Sequence, residues 1–110
     1  MEPQGERIAR NEAAYRDVND AIRAGRADID PGVPRPFVCE CGQLGCNQLV
    51  DLTLSEYEAV RAHPRRFLLL AGHEIPDVEV VVERHDGWVV AEKRATAAAV
   101  AEETDPRSAG

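Results

Sequence analysis

Long apolar runs are missing from this 110-residue sequence, and so is an N-terminal targeting pattern. The longest largely apolar stretches, FLLLA at 67–71 and VEVVV at 78–82, are far shorter than the roughly 20 residues that a membrane-spanning helix needs. The first residues, MEPQGERIAR, contain no apolar core of the kind found in signal peptides. We therefore expect a cytoplasmic protein without a membrane segment, whose thiols stay reduced.

Cysteine is scarce, and its copies are confined to one segment, FVCECGQLGC at 37–46. Cys39, Cys41 and Cys46 are an odd number and cannot all be paired within one chain. A reducing compartment also disfavours disulfides. A disulfide scaffold is therefore disfavoured, which leaves bound metal, a reactive-thiol site, or three cysteines buried as small apolar side chains.

Basic charge is in deficit, because 20 acidic residues face 13 basic ones and give a net charge of −7. Nonspecific nucleic-acid binding relies on attraction to phosphates, which this balance opposes. One local cluster, Arg61, Arg65 and Arg66 beside Phe67, would favour nucleic acid. Arginines near a helix C-terminus are equally explained by the helix dipole. We therefore expect no nucleic-acid partner.

Proline, glycine and apolar periodicity divide the chain into four parts. They are an amphipathic N-terminal helix, a Pro/Gly linker, a compact α+β segment, and an alanine-rich helix or flexible acidic tail, at 6–25, 26–36, 37–93 and 94–110 respectively. The length corresponds to a single small domain. The sequence therefore predicts an α+β fold with an N-terminal helix set apart from it.

The N-terminal helix carries a narrow apolar stripe. Ile8, Tyr15 and Ile22 recur every seventh residue, and Asn11 and Val18 lie between them on the same side. A polar residue on such a stripe fixes register in paired helices. The pattern favours docking of the helix on its own domain, and pairing with another protein or a second copy through residues 6–24 is the alternative.

The compact segment shows two hairpin patterns and a short helix between them. FVCE and QLVDL flank the cysteine turn as a small hairpin, and RFLLL is typical of a buried strand. Thr53 and Glu56 form a capping box that begins a helix. The alternating residues of DVEVVVERHDGWVVAEK surround an Asp86-Gly87 turn, which predicts a second hairpin.

The cysteine pattern favours a metal site. A single core below roughly 70–80 residues rarely supplies more than about 3–5 kcal/mol, so small domains usually need a further link. Cys39 and Cys41 are two residues apart and share one face of an extended strand. Gly42 and Gly45 allow the chain to return and bring Cys46 near. Three thiolates favour Zn²⁺, with iron as the competitor, although C-x-C-x4-C differs from the common C-x2-C spacing.

A structural zinc site needs a fourth ligand, and His73 is the best candidate. It follows the most apolar strand, directly after Gly72. His63, His85, a carboxylate or a water molecule are the alternatives. Glu74 next to His73 is expected to support the site, as an acceptor for the other ring N–H of His73 or for a backbone amide.

These motifs also resemble those of a family of small bacterial proteins without an established function. The resemblance is carried by RNEAAYRDVND, FVCECGQLGC, LTLSEYEAVRAHPRRFLLLAGHE and VEVVVERHDGWVVAEK, over about residues 10–105. The C-x-C-x4-C and G-H-E elements are its landmarks. It implies a metal-ligand role for Cys39, Cys41, Cys46 and His73, and it implies no activity.

Three functions are consistent with such a site. A closed shell of three cysteines and one histidine favours a zinc-finger-like protein interaction module. Oxidisable thiolates suggest a redox sensor that releases zinc. Glu74 could act as general base of a zinc hydrolase if one position were open. The signature of zinc deaminases, H-x-E or C-x-E followed by P-C-x-x-C, is missing, and we therefore favour a protein that is not an enzyme.

Overall fold

The computed structural model of the chain describes residues 4–26, 28–41, 43 and 46–107. Within these residues it shows three helices and two small antiparallel sheets, so the predicted α+β class is confirmed. In chain order the elements are α1 Gln4–Ala24, β1 Arg35–Val38, β2 Leu49–Leu52, α2 Leu54–Arg61, β3 Arg66–Leu70, β4 Glu79–Arg84, β5 Trp88–Lys93 and α3 Ala95–Glu103. In the part of the chain described, no helix combines the length and apolar character needed to cross a bilayer.

Two hairpins form the sheets, as the sequence predicts. β1 pairs antiparallel with β2 and begins at Arg35 rather than Phe37. The other sheet has the order β3-β5-β4, so β5 lies in the centre. Phe37 of β1 and Phe67 of β3 are both fully buried in one apolar cluster, which joins the two sheets.

Local sequence signals set the ends of these elements. The Thr53 hydroxyl accepts a hydrogen bond from the Glu56 amide at 3.0 Å, and the Glu56 carboxylate accepts one from the Thr53 amide at 2.8 Å. This is the predicted capping box. In the turn between β4 and β5, Gly87 has φ +81°, a conformation that suits glycine. The predicted Asp86-Gly87 turn is therefore confirmed.

Helix α1 packs against α3 and β1 of its own chain. The residues of the predicted stripe are not all buried. Ile8 is buried and Ile22 packs at the edge of the core. Asn11 and Tyr15 are half-buried, and Val18 is 46% exposed. The docked face includes polar residues that the apolar pattern did not indicate.

In strand β4, the buried side chain next to the core is a glutamate, and two of the valines face outward. Val80 and Val82 are exposed, whereas Glu79 is buried opposite Lys93 of β5. The Lys93 ammonium contacts the carboxylates of Glu79 and of Glu12 in α1, and all three side chains are fully buried. Burial raises the pKa of Glu12 to about 7 and lowers that of Lys93. A buried charge needs a partner, and this ion cluster sets the orientation of β4.

A second buried ion cluster joins the three helices. Arg61 of α2 donates to Asp20 of α1 at 2.9 Å and to Asp105, which follows α3, at 2.6 Å. The Arg61 side chain is fully buried. Burial opposes ionisation of Asp105, but the hydrogen bonds from Arg61 and from the Arg107 amide, together with the charges of Arg61 and Arg16, lower the pKa of this carboxyl overall.

Replacing Arg61 by methionine should destabilise the protein strongly, because the buried carboxylate of Asp105 would lose both of its hydrogen bonds from the Arg61 guanidinium. We expect a loss of about 3 kcal/mol in the free energy of unfolding, measured by urea denaturation. Arg65→Met is the matched control, since Arg65 pairs with Glu102 at the surface and such pairs contribute at most about 1 kcal/mol. Equal losses in the two variants would contradict the structural role of the Arg61 cluster.

Candidate metal centre

The structure brings the four predicted site residues together. Cys39 and Cys41 follow β1, Cys46 precedes β2, and His73 follows β3. One potential ligand atom from each residue lies within 4.8 Å of the others. Gly42 and Gly45, which the sequence predicts to return the chain, lie outside the described residues. The cluster of Cys39, Cys41, Cys46 and His73 is called the Cys3His cluster below.

The spacing within the cluster suits a small tetrahedral ion. The Nδ1 atom of His73 is 3.7 Å from the Sγ atom of Cys39 and 3.6 Å from that of Cys46. With metal–sulfur bonds of about 2.3 Å and metal–nitrogen bonds of about 2.0–2.1 Å, a tetrahedral ion separates sulfur and nitrogen by about 3.6 Å. The cluster could therefore hold one metal ion.

Backbone hydrogen bonds on both sides hold the segment at 38–41, which continues β1 and carries Cys39 and Cys41; this segment is called the ligand strand below. The Cys39 amide donates to the Gln48 carbonyl at 2.9 Å, which continues the β1–β2 pairing. The Glu40 amide donates to the Leu68 carbonyl at 2.9 Å, which fastens the same segment to β3. The Leu70 amide donates to the Cys39 sulfur at 3.2 Å. This last contact orients the sulfur toward the cluster, as polar partners of metal ligands do.

A tight turn after β3 positions His73. The His73 amide donates to the Leu70 carbonyl at 3.0 Å, which closes a four-residue turn. Gly72 is the third residue of this turn and has φ +89°, a positive angle that glycine adopts readily. The Glu74 carboxylate accepts a hydrogen bond from the Gly72 amide at 2.9 Å. Of the two roles expected for Glu74, the structure therefore shows the backbone one, and this bond shapes the turn. Gln43 adds a contact to the His73 carbonyl at 3.3 Å.

Burial controls the ionisation of the Cys39 and Cys41 thiols. Cys39 and Cys41 are buried, whereas Cys46 and His73 are half-buried. Burial raises the pKa of the Cys39 thiol and raises that of the Cys41 thiol to about 12. A cation at this position would stabilise the thiolates, so its binding would release protons. The site therefore offers donors whose charged form depends on a bound cation.

The other two histidines lie elsewhere. His63 is exposed just beyond the end of α2. His85 stacks on Trp88 with 4.0 Å between ring centroids, and its Nε2 atom lies 3.1 Å from a Glu83 carboxylate oxygen. Neither belongs to the Cys3His cluster.

The three arginines of the basic cluster, Arg61, Arg65 and Arg66, all pair with carboxylates. Arg61 is buried between aspartates, as described above. Arg65 pairs with Glu102 at 2.7 Å, and Arg66 pairs with Glu92 at 3.1 Å. These ion pairs partly neutralise the positive charge of the arginines and weaken their attraction for phosphates.

Two residues that the sequence analysis did not identify support the site from behind. Asn19 of α1 donates to the Val38 carbonyl at 2.9 Å and to the Glu40 carboxylate at 2.8 Å, and it accepts from the Val38 amide at 2.8 Å. Burial raises the pKa of Glu40 to about 7. The sequence does place a glutamate, Glu40, between two cysteines, and this could have drawn attention to it. Its partner Asn19 is 21 positions away, so the pairing could not be recognised from the local sequence.

Comparison of the chain with protein-family models, with curated proteins and with solved structures found no match. The family resemblance of the motifs therefore stays a prediction.

Replacing His73 by alanine should weaken zinc binding by more than about 100-fold, because even the partners of metal ligands contribute 10- to 100-fold. The dissociation constant can be measured by competition with a chromophoric chelator at neutral pH. His63→Ala and His85→Ala are the matched controls and should change it by less than about twofold, since both residues lie outside the cluster. Unchanged affinity in His73→Ala would remove this residue from the ligand set.

Proposed function

We propose that the Cys3His cluster binds one structural Zn²⁺ and that the protein is a small zinc-stabilised module that binds another protein. The observation that supports this most strongly is the convergence of four potential ligand atoms within 4.8 Å of one another, with the His73 Nδ1 atom 3.7 and 3.6 Å from the Cys39 and Cys46 sulfurs. Each ligand comes from a segment next to a strand, so one ion would join the β1–β2 hairpin to the end of β3.

The donor set favours zinc. Three thiolates and one imidazole are soft and borderline ligands, which select Zn²⁺ or iron over Mg²⁺ or Ca²⁺. Tetrahedral Cys3His shells are typical of structural zinc sites. Zinc also has no redox chemistry of its own, which suits a structural role.

The shell supports a structural rather than a catalytic role. Four protein ligands complete the coordination of zinc, whereas hydrolytic sites keep a position for water. Glu74, the general base of the hydrolase alternative, is engaged with the Gly72 amide. A redox sensor that releases zinc on thiolate oxidation would use the same four residues, and it stays a prediction.

The outward side of α1 supports a protein partner. Val18 is exposed there, one turn from the half-buried Tyr15. A hollow of about 280 Å³, lined by Asn11, Ala14, Tyr15 and Gln43, lies beside them. The hollow joins α1 to the cysteine segment, so a partner bound there would contact both. We propose that this surface binds a protein segment, with a second copy of the chain as the simplest candidate.

Purified protein should contain one zinc per chain, and chelation should lower its melting temperature. A ligand present at 100 times its dissociation constant stabilises by about 2.7 kcal/mol. For a domain of this size that corresponds to at least about 10 °C. Elemental analysis and thermal melting, with and without a chelator, test this. Cys41→Ser is the control in which the chelator should have no effect. A zinc-free protein, or an unchanged melting temperature, would contradict the proposal.

Self-association through the outer side of α1 should disappear when Val18 is replaced by aspartate, because a charge would be placed in an apolar contact. We expect the weight-average mass of the wild type to rise with concentration in sedimentation, and that of Val18→Asp to stay monomeric. Val80→Asp is the matched control, since Val80 is similarly exposed (43%, against 46% for Val18) but lies on β4. A wild type that is monomeric at all concentrations would exclude the second copy as the partner.

A further inference from the structure

We propose that Asn19 is a positioning residue of the metal site, through which zinc binding and the docking of α1 stabilise each other. The proposal rests on the zinc site proposed above and adds to it the control of metal affinity by a helix that supplies no ligand. It makes α1 part of the metal centre rather than a detachable segment.

The side-chain amide of Asn19 is hydrogen-bonded to the backbone of the ligand strand. Asn19 is fully buried and forms three hydrogen bonds, donating to the Val38 carbonyl and the Glu40 carboxylate and accepting from the Val38 amide. Both backbone groups of Val38, the residue before Cys39, are thus held by α1. A displacement of this strand would break all three bonds together.

Glu40 links Asn19 to β3 through its two carboxylate oxygens. Its carboxylate accepts from Asn19 on one oxygen and from the Leu68 amide at 3.1 Å on the other. Successive side chains of an extended segment point to opposite sides, so Glu40 faces away from Cys39 and Cys41. Helix α1 therefore supports the ligand strand from the side opposite the ion.

Mutual stabilisation follows from this geometry. A bound ion holds Cys39 and Cys41 at fixed positions, which keeps Val38 and Glu40 where Asn19 can bond to them. Metal binding to a flexible ligand set is also folding of that set. If the ion favours the docked helix by some factor, then the docked helix must favour the ion by the same factor.

The N-terminal half of α1 is held by contacts that do not involve the ligand strand. Ile8 packs in a separate apolar cluster with Val78, Ala97 and Val100. This provides a control: Ile8→Ala weakens the packing of α1 at a position far along the helix from Asn19. Asn19→Ala instead leaves the two Val38 backbone groups and the Glu40 carboxylate without their partner.

The first experiment is hydrogen exchange of the full wild-type chain, measured by mass spectrometry with zinc bound and after chelation. We expect the amides of residues 16–24 to exchange at least about tenfold faster without zinc, a change of about 1.4 kcal/mol in local stability. Amides of the β4–β5 hairpin should change much less. This measurement needs no variant and therefore stands even if Asn19→Ala fails to fold.

The second experiment compares zinc dissociation constants. Asn19→Ala should raise the constant about tenfold, whereas Ile8→Ala, which is also destabilising, should change it by less than about twofold. An equal rise in both variants would mean general destabilisation and would overturn the proposal. Stoichiometric zinc with unchanged exchange in residues 16–24 and unchanged affinity in Asn19→Ala would overturn it while leaving the structural zinc site intact. Absence of stoichiometric zinc would overturn both.

Discussion

The rest of the structure is organised around one short segment, residues 38–41, which is hydrogen-bonded on both sides. Asn19 holds it from α1, and the Leu68 backbone holds it from β3. Because side chains alternate along the segment, its cysteines point to one side and Glu40 to the other. The candidate metal centre and the contact with α1 thus lie on opposite sides of the same four residues.

Several charged side chains are buried beside the apolar core of this chain. The chain has few aromatic residues, and its main core is completed by buried ions such as Arg16, whose guanidinium lies 4.6 Å from the centre of the Phe67 ring and donates to the Ala101 carbonyl at 2.9 Å. Buried ions are costly unless their partners are in place. Such a core stabilises one arrangement of α1 and α3 specifically, because sliding either helix would separate charges from their partners.

Much of the fold could be predicted because its signals act over a few residues. The capping box of α2, the turn at Gly87 and the hairpin pairing need only neighbouring positions to be recognised. The convergence of the cysteines with His73 could also be predicted, since zinc chemistry requires a fourth donor and Gly72 marks a turn beside a buried strand. The burial of Glu79 in β4 could not, because it depends on Lys93 and Glu12, which are distant in the sequence and close only in the fold.

By itself, the sequence determined the class of fold, the position of the hairpins and the four donors of the candidate metal centre, because these follow from spacing, backbone preference and ligand chemistry. The tertiary structure alone decided which face of α1 is buried and which side chains complete the ion clusters. Arg61 and Asp105 are 44 positions apart, and Asn19 and Glu40 are 21 apart. The stability of a buried polar group depends on a partner in space, and no local pattern specifies where along the chain that partner will be found.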